Sequence, residues 1–261
     1  MVINFYKYHG TGNDFIMIDN TKSLIKLVQS QIKLLCDRHF GIGADGLILI
    51  ETSENHDFYM QYFNADGRES TMCGNGGRCS VHFAKSLGLV KGNHTIFEAI
   101  DGLHKAEIND NIIALQMQNV SKINIEKNYC YLDTGSPHHV EFTKDTDKVN
   151  VYEEGKKIRY GHPYNEGGSN VNFVTQIEDN VFKVRTYERG VENETLSCGT
   201  GVTASAIAAF ETGKTNKKNI YLNTLGGQLE VTFEKDNNTY KNVILKGPAT
   251  FVFKGSIEIN Y

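Results

Sequence analysis

The segment Met72-Cys73-Gly74-Asn75-Gly76 recurs as Ser197-Cys198-Gly199-Thr200-Gly201, and the fold we predict follows from this repetition. Each copy is preceded by a β-type run, a turn and an acidic loop, and each is followed by a helical pattern. The two cysteines are 198 − 73 = 125 positions apart in a chain of 261 residues, close to half its length. Two copies of one supersecondary unit predict two similar lobes.

The segments around each copy extend the similarity. Residues 62–67 (YFNADG) lead into the first cysteine motif, and residues 186–190 (TYERG) lead into the second. Residues 12–15 (GNDF) are also similar to residues 169–173 (SNVNF), and we expect each of these two segments to open a strand. A polar boundary between the two halves is expected near residues 109–111.

Strand-type runs bounded by Gly or Asn/Asp turns occur along the whole chain, whereas helical patterns are few. We predict helices over residues 30–38, 77–87 and 202–210. This content favours an α+β fold.

Composition and charge exclude several classes of protein. Apolar residues make up 39% of the chain, charged residues 22%, and the formal net charge is -4, as in ordinary soluble globular proteins. This balance predicts no nucleic-acid partner, and we assign the short basic runs at residues 156–159 and 214–218 to solvated loops. No signal peptide or membrane span is recognisable, so we expect no membrane partner. The five cysteines are odd in number and widely spaced, which favours reduced thiols and a cytoplasmic location.

The Cys-Gly-x-Gly motif suits an activated thiol. Its glycines let the chain turn into a helix, whose first N–H groups are unpaired and carry partial positive charge. Such a helix start holds a carboxylate and should lower the pKa of the adjacent thiol below about 8.5. One copy alone is more typical of a buried structural cysteine, but two symmetric copies favour a function for Cys73 and Cys198.

Two thiols facing one carboxylate site point to inversion of an amino-acid Cα. One group must remove the proton while a second group on the opposite face already carries one. The helix starts would stabilise the charge that develops on the carboxylate. We expect the other three cysteines, Cys36, Cys79 and Cys130, to be packed in the core.

Taken together, the motifs resemble those of the diaminopimelate epimerase family. The matching segments span nearly the whole chain, at residues 9–15, 41–45, 63–67, 72–76, 137–138, 170–173, 187–190, 198–201 and 247–250. The resemblance implies interconversion of LL- and meso-diaminopimelate in lysine and peptidoglycan precursor biosynthesis, without pyridoxal phosphate, metal or any other cofactor. It also implies two pseudosymmetric α/β lobes, each a strongly curved, mostly antiparallel sheet around a central helix, with the active site in the cleft between them. The first lobe would contain residues 1–111 plus about 249–261 with Cys73, and the second residues 112–248 with Cys198.

The resemblance also implies roles for individual residues. Cys198 would be the base and Cys73 the acid in the LL-to-meso direction, and His138 and Glu188 would tune the thiols. The residues that would contact the substrate are Asn13, Asn64, Gly74, Asn75, Asn170, Glu188, Arg189, Gly199 and Thr200.

These roles are physically reasonable, but each residue could also have a purely structural role. A distal carboxylate suits the planar fork of an arginine, which makes Arg189 the natural partner for the second amino-acid head of the substrate. However, Asn13 and Asn170 are also typical turn residues, His138 could be a surface residue, and Glu188-Arg189 could be a solvated ion pair.

The chain departs from the family pattern in three places. Ser136 stands where many members have an asparagine that helps to hold the distal end, and Gly46 stands where some have a polar side chain. Phe253 replaces a tyrosine that some relatives use in dimer contacts, so a homodimer is left open.

Three other functions compete. A racemase of another amino acid would leave Arg189 unpaired. A thiol-redox or zinc protein is disfavoured because the chain has no C-x-x-C motif. A non-catalytic binder or a dehydratase relative would be expected to lack one of the two cysteines.

Overall fold

The computed structural model describes residues 1–259, which divide into two compact units. The first unit contains Met1–Leu115 and the chain from Gly247 onward, and the second contains Gln116–Lys246. Residues 260 and 261, which we assigned to the first lobe, lie outside the described part of the chain. Each unit combines paired strands with two α-helices, so the predicted α+β class is confirmed.

The first unit is a mixed sheet with two helices. Its strands are β1 (Val2–Gly10), β2 (Asn13–Asp19), β3 (Gly46–Glu51), β4 (Phe58–Asn64), β5 (Glu69–Ser70), β6 (His94–Ala99), β7 (Gly102–Asn109), β8 (Ile112–Gln116) and the last strand of the chain, β18 (Thr250–Glu258). Helix α1 (Gln29–Cys36) connects β2 to β3, and α2 (Gly74–Ser86) connects β5 to β6. The strands pair in the order β18-β1-β2-β3-β4-β6-β7-β8, with β2–β3 and β4–β6 parallel and the other pairs antiparallel.

The second unit repeats this plan. Its strands are β9 (Ile123–Ile125), β10 (Tyr129–Asp133), β11 (Pro137–Phe142), β12 (Asn170–Glu178), β13 (Val181–Glu188), β14 (Asn193–Thr195), β15 (Asn219–Thr224), β16 (Gly227–Asp236) and β17 (Thr239–Pro248). Helix α3 (Val151–Tyr160) connects β11 to β12, and α4 (Gly199–Glu211) connects β14 to β15. The order is β9-β10-β11-β12-β13-β15-β16-β17, with β11–β12 and β13–β15 parallel.

The strand registers correct one of the similarities drawn from the sequence. Asn13 opens β2 and Asn170 opens β12, but β12 is the counterpart of β3, because β3 lies parallel to β2 and β12 lies parallel to β11, the third strand in each sheet order. The first residue pair between β2 and β3 is Phe15 with Gly46, and the first pair between β11 and β12 is His138 with Asn170. The counterpart of Asn170 is therefore Gly46. Two residues earlier, Asn13 corresponds to Ser136. Residues 12–15 and 169–173 are therefore not equivalent in the two repeats. They belong to neighbouring strand positions of the repeat, and they look alike because two neighbouring parallel strands begin at the same edge of the sheet.

Helices α2 and α4 are the central helices of their units. Each has ten buried residues, and α2 packs against β1, β2, β3, β4 and β7 while α4 packs against β10–β13, β15 and β16. Both helices begin at the residue that follows the motif cysteine, three positions before the predicted starts. The prediction began too late because glycine is a poor helix former, and both motifs place glycines in the first turn.

Helix α3 was missed, and its basic residues are not in a solvated loop as we had assigned them. Asn150 caps the helix by accepting a hydrogen bond from the Glu153 N–H. Arg159 is buried at 8% exposure, and its guanidinium lies 3.2 Å from Glu192. Mid-helix Gly155 concealed the helical pattern, but it lies against the Tyr187 ring and has no room for a side chain.

Among residues 1–259, no helix is long and apolar enough to cross a membrane.

Candidate active site

Cys73 in the first unit is the N-cap residue of α2. Its sulfur accepts a hydrogen bond from the Gly76 N–H at 3.2 Å, and the residue is half-buried. Gly74 and Asn75 form the first turn of the helix. The thiol therefore lies at the positive end of a helix whose first N–H groups have no intrahelical acceptor.

A chain of amide hydrogen bonds fixes the side chains beside this thiol. Asn75 Nδ2 donates to Asn13 Oδ1 at 3.3 Å, and Asn13 Nδ2 donates to Asp45 Oδ2 at 2.8 Å. Asp45 is held in turn by Arg38, at 2.8 Å. The structure thus brings Asn13 and Asn75 together, whereas Asn64, at the exposed end of β4, accepts a hydrogen bond from the Tyr62 hydroxyl.

Cys198 in the second unit is the N-cap residue of α4. Cys198 is buried, at 7% exposure, and its Sγ lies 3.5 Å from Thr200 Oγ1. Gly199 and Thr200 form the first turn of this helix. Cys73 and Cys198 therefore take the same position in the two repeats.

His138 reaches this cysteine through Thr200. His138 Nε2 lies 2.8 Å from Thr200 Oγ1, and Nδ1 lies 3.1 Å from Asn172 Nδ2. Burial, and then the charge of Arg189, lowers the pKa of His138 to about 3, so the ring is neutral. An amide nitrogen only donates, so Nδ1 is the acceptor and Nε2 carries the proton. Thr200 Oγ1 accepts a hydrogen bond from that N–H, so its own hydroxyl hydrogen is the one that donates to Cys198.

Asn172 is a site residue that sequence reasoning missed. Besides His138, its amide nitrogen donates to the His139 carbonyl at 2.9 Å, and its Oδ1 accepts from the Thr186 hydroxyl at 3.0 Å. A side chain at Gly201 would place its Cβ 2.4 Å from Asn172 Oδ1, so the second glycine of the motif makes room for this amide. Asparagine is disfavoured in a strand interior, and its presence within β12 is the signal that could have identified it.

Asn170 organises the predicted distal end of the site. Its Nδ2 donates to Ser136 Oγ at 2.9 Å and to the Pro137 carbonyl at 3.0 Å, and its Oδ1 accepts from the Arg189 N–H at 2.8 Å. The exposed Arg189 side chain donates to the Gly167 carbonyl at 3.0 Å. Glu188 ends β13 next to it. Asn170 therefore joins Ser136 to Arg189 rather than acting as a simple turn residue.

The other three cysteines are buried, as expected. Burial raises the pKa of the thiol to about 12 in Cys36 and Cys79 and to about 11 in Cys130. These thiols therefore stay protonated at neutral pH. Within residues 1–259, no group of three His, Cys, Asp or Glu side chains is arranged to hold a metal ion.

Comparison with known proteins identifies the chain's relatives. The diaminopimelate epimerase family model matches residues 5–123 and 130–252. The chain is 58% identical over 257 residues to the diaminopimelate epimerase of Flavobacterium psychrophilum, covering 98% of this chain and 100% of that protein. It is 42% identical over 258 residues to the diaminopimelate epimerase of Chlorobaculum tepidum, covering 96% of this chain and 99% of that protein.

Solved structures with low sequence identity share the fold. A PhzF-family phenazine biosynthesis protein of Bacillus anthracis is 15% identical, with a TM-score of 0.79 over 99% of this chain and 100% of that chain. A hydroxyproline epimerase of Agrobacterium vitis, solved with bound trans-4-hydroxy-L-proline, is 14% identical, with a TM-score of 0.67 over 98% of this chain and 92% of that chain. At these identities the likeness shows the fold alone.

Proposed function

This chain belongs to the diaminopimelate epimerase family, and from that premise we propose that it interconverts LL- and meso-2,6-diaminopimelate by proton transfer at one Cα. The enzyme is an isomerase, an amino-acid epimerase. The observation that carries the proposed chemistry is the placement of Cys73 and Cys198 as N-cap residues of the two central helices. Its place in metabolism is the biosynthesis of lysine and of peptidoglycan precursors.

Cys73 and Cys198 act on opposite faces of the same carbon. The thiolate of one cysteine takes the Cα proton and becomes a thiol, and the electron pair of the C–H bond moves toward the carboxylate. The thiol of the other cysteine gives its proton to the opposite face and becomes a thiolate. In the LL-to-meso direction Cys198 is the base and Cys73 the acid, and the reverse reaction exchanges these roles. The residues carry out this transfer without pyridoxal phosphate or another cofactor.

The first turns of α2 and α4 hold the reacting carboxylate. Their N–H groups, at Gly74 and Asn75 and at Gly199 and Thr200, stabilise the negative charge that grows as the Cα proton leaves. Asn13 and Asn64 position the amino-acid head beside them.

His138 tunes Cys198 through Thr200. The neutral ring donates from Nε2 to the Thr200 hydroxyl, which turns that hydroxyl's hydrogen toward the sulfur. A donor aimed at the sulfur favours the thiolate. Glu188 assists in tuning the thiols.

Arg189 recognises the distal carboxylate. Its guanidinium offers paired donors, and Asn170 fixes its backbone through the hydrogen bond to the Arg189 N–H. Ser136 accepts from Asn170 and so keeps its own hydroxyl proton available to the substrate. A serine in place of the family asparagine has a shorter reach, so we expect a water to complete this contact.

We further propose that the protein is cytoplasmic and forms a homodimer. The proposed reaction requires both motif thiols to be reduced, which fits a reducing compartment. Strand β18 carries three consecutive exposed apolar residues, Phe251, Val252 and Phe253, which suit contact with a second copy of the chain.

Incubation in heavy water tests the activity. LL-diaminopimelate should convert to the meso isomer and gain deuterium at one Cα. L-Lysine, which has the same carbon chain without the distal carboxylate, is the matched control and should exchange far more slowly. Folded, reduced protein that neither converts nor exchanges diaminopimelate would sink the proposal. Equal exchange of lysine would instead indicate a racemase of broader specificity and would remove the role of Arg189.

A further inference from the structure

Arg78 is a buried cation at the helix start beside Cys73. Its side chain has 0% exposure, and its guanidinium donates to neutral oxygens. The acceptors are the Gly74 carbonyl at 3.0 Å, Asn75 Oδ1 at 2.9 Å, the Pro248 carbonyl at 3.3 Å and Thr11 Oγ1 at 3.4 Å. Within residues 1–259 no carboxylate lies within ion-pair distance of this guanidinium.

An unpaired buried charge is costly, so its presence calls for a reason. Moving a cation away from water costs several kcal/mol when no anion compensates. Burial lowers the pKa of Arg78 to about 10, yet the group remains protonated at neutral pH, and the nearby groups that favour its charged form are the thiols of Cys79 and Cys73. Cys79 is itself fully buried, and its pKa is raised to about 12, so it stays neutral. Cys73 is the remaining candidate for the compensating anion.

The second repeat has the same hydrogen bond without the charge. Position 78 corresponds to position 203, because 78 + 125 = 203, and residue 203 is a threonine. Thr203 Oγ1 donates to the Gly199 carbonyl at 2.9 Å, just as Arg78 donates to the Gly74 carbonyl. A hydroxyl is therefore enough to donate a hydrogen bond to this carbonyl. The positive charge of Arg78 is an additional feature of the unit that contains Cys73.

We propose that Arg78 is a positioning residue whose fixed positive charge behind the first turn of α2 stabilises the thiolate of Cys73. In the resting enzyme the negative charge then resides on Cys73 in preference to Cys198, which has no counterpart cation at Thr203. This inference rests on the proposed catalytic use of Cys73. The charge of Arg78 makes the surroundings of the two motif cysteines electrostatically unequal, although the backbone around them repeats.

Other titratable groups lie on α2 and on the strands that pack against it. Tyr8 of β1 and His82 of α2 are neutral at pH 7, because burial raises the pKa of the tyrosine and lowers that of the histidine. Lys7 and Asp14 form an ion pair on β1 and β2. Asp101 accepts from the Met72 N–H and from His104. The charged side chains elsewhere on the elements that pack against α2 are Asp19, Glu51, Lys85, Lys105 and Glu107, with the tyrosines Tyr6, Tyr59 and Tyr62 and the histidine His9.

The test compares alkylation of the two thiols in matched variants. Iodoacetamide labelling of the whole protein is followed by mass spectrometry at the Cys73 and Cys198 peptides between about pH 5 and pH 10, in the wild type, R78Q, R78K and T203V. R78Q keeps a hydrogen-bond donor but removes the positive charge, whereas R78K retains the positive charge. We expect the pH midpoint of Cys73 labelling to rise by about one unit or more in R78Q and to stay near the wild-type value in R78K. The midpoint of Cys198 should not change in any of these proteins.

Several results would overturn the inference. These are an unchanged Cys73 midpoint in folded R78Q, equal shifts in R78Q and R78K, or a Cys198 shift in T203V as large as that of Cys73 in R78Q. If R78Q does not fold, labelling of the wild type alone tests the inference, because the inference requires a lower pH midpoint for Cys73 than for Cys198. Labelling does not depend on turnover, so failure of this inference is separate from failure of the heavy-water assay.

Discussion

Cys73 and Cys198 occupy the same helical position but have different neighbours. The sulfur of Cys73 accepts from a backbone N–H, and that of Cys198 lies beside the Thr200 hydroxyl. Behind the first lies the cation of Arg78, and behind the second the neutral ring of His138. Symmetric chemistry is therefore supported by two different arrangements of side chains.

Replacing either motif cysteine should abolish epimerisation. Removal of an acid or base usually costs about 100-fold to 10,000-fold in rate, and each proton transfer here needs both groups, so we expect at least that loss in C73A and in C198A. The matched control is C130A, which removes a buried thiol whose pKa is raised and which should retain activity within about 3-fold. Conversion of LL- to meso-diaminopimelate measures the effect. Near-full activity in C73A or C198A would show that the thiol concerned is neither acid nor base.

The stability of the protein should depend on pH through His138. Burial and the Arg189 charge lower the pKa of this histidine to about 3 in the folded chain, whereas in the unfolded chain it is about 6.5. Between these values the unfolded chain binds a proton that the folded chain does not, so the free energy of unfolding falls as the pH falls. From pH 7 to pH 5 this group should remove about 2 kcal/mol.

H138Q is the comparison for that pH dependence. Glutamine keeps an amide donor near the position of Nε2 but does not titrate. Urea unfolding of both proteins at pH 7 and pH 5 should show a stability difference that shrinks by about 2 kcal/mol at the lower pH. Parallel pH dependence in the two proteins would mean that His138 is not held neutral.

At the scale of elements, the second unit depends on close contacts that only glycine permits. Gly201 makes room for Asn172 in the second unit, and Gly155 lets α3 lie against Tyr187. The same glycines weaken the helical pattern in the sequence, because glycine lowers helix propensity by about 1 kcal/mol relative to alanine. This is why α3 was missed and why α2 and α4 were predicted to begin too late.

G155A should destabilise the protein although alanine favours a helix. The new Cβ would lie 2.4 Å from Tyr187 Cβ and 2.7 Å from its Cγ, so the helix or the ring must move. Such overpacking costs about 1–3 kcal/mol, and we expect a net loss in that range. G92A, at a position with open space around it, is the matched control and should change stability by less than about 0.5 kcal/mol. Denaturant midpoints that do not differ between the two variants would contradict the close packing of α3.

At the scale of the whole molecule, strand β18 presents apolar side chains that the proposed reaction does not use. Strand β18 pairs with β1 and exposes about half of Phe251, Val252 and Phe253 (45%, 51% and 46%). Three consecutive exposed apolar residues on one strand are suited to a self-complementary contact between two copies of the chain.

F253D should weaken the homodimer that we propose. A carboxylate in an apolar contact is desolvated without a partner, so the dissociation constant should rise by at least about 10-fold. Sedimentation velocity over a range of concentrations measures it. F40D provides the control, since Phe40 is 82% exposed but lies on a different segment, and this change should leave association unaltered. A wild-type protein that remains monomeric at every concentration would rule out the proposed dimer.

The amino-acid sequence by itself determined the repeat, the fold class, the two thiols and the family. These features are local: Cys-Gly-x-Gly motifs and strand-to-helix order are properties of a few neighbouring residues, and they needed no knowledge of packing. It also identified His138, Asn170 and Arg189 as site candidates, though not their partners.

Only the tertiary structure decided how those residues are connected. The parallel pairing of β11 with β12 brings His138 beside Asn170 and Asn172, residues about 30 positions away, and thereby sets the tautomer that aims Thr200 at Cys198. Burial decided the rest, because Arg78 and Arg159 are ordinary surface residue types in the sequence and become buried cations only when strands from distant segments cover them. Desolvation is a property of the packed molecule. It keeps the His138 ring beside Thr200 neutral, and it lowers the pKa of Arg78 to about 10, at which the guanidinium still carries its charge at neutral pH.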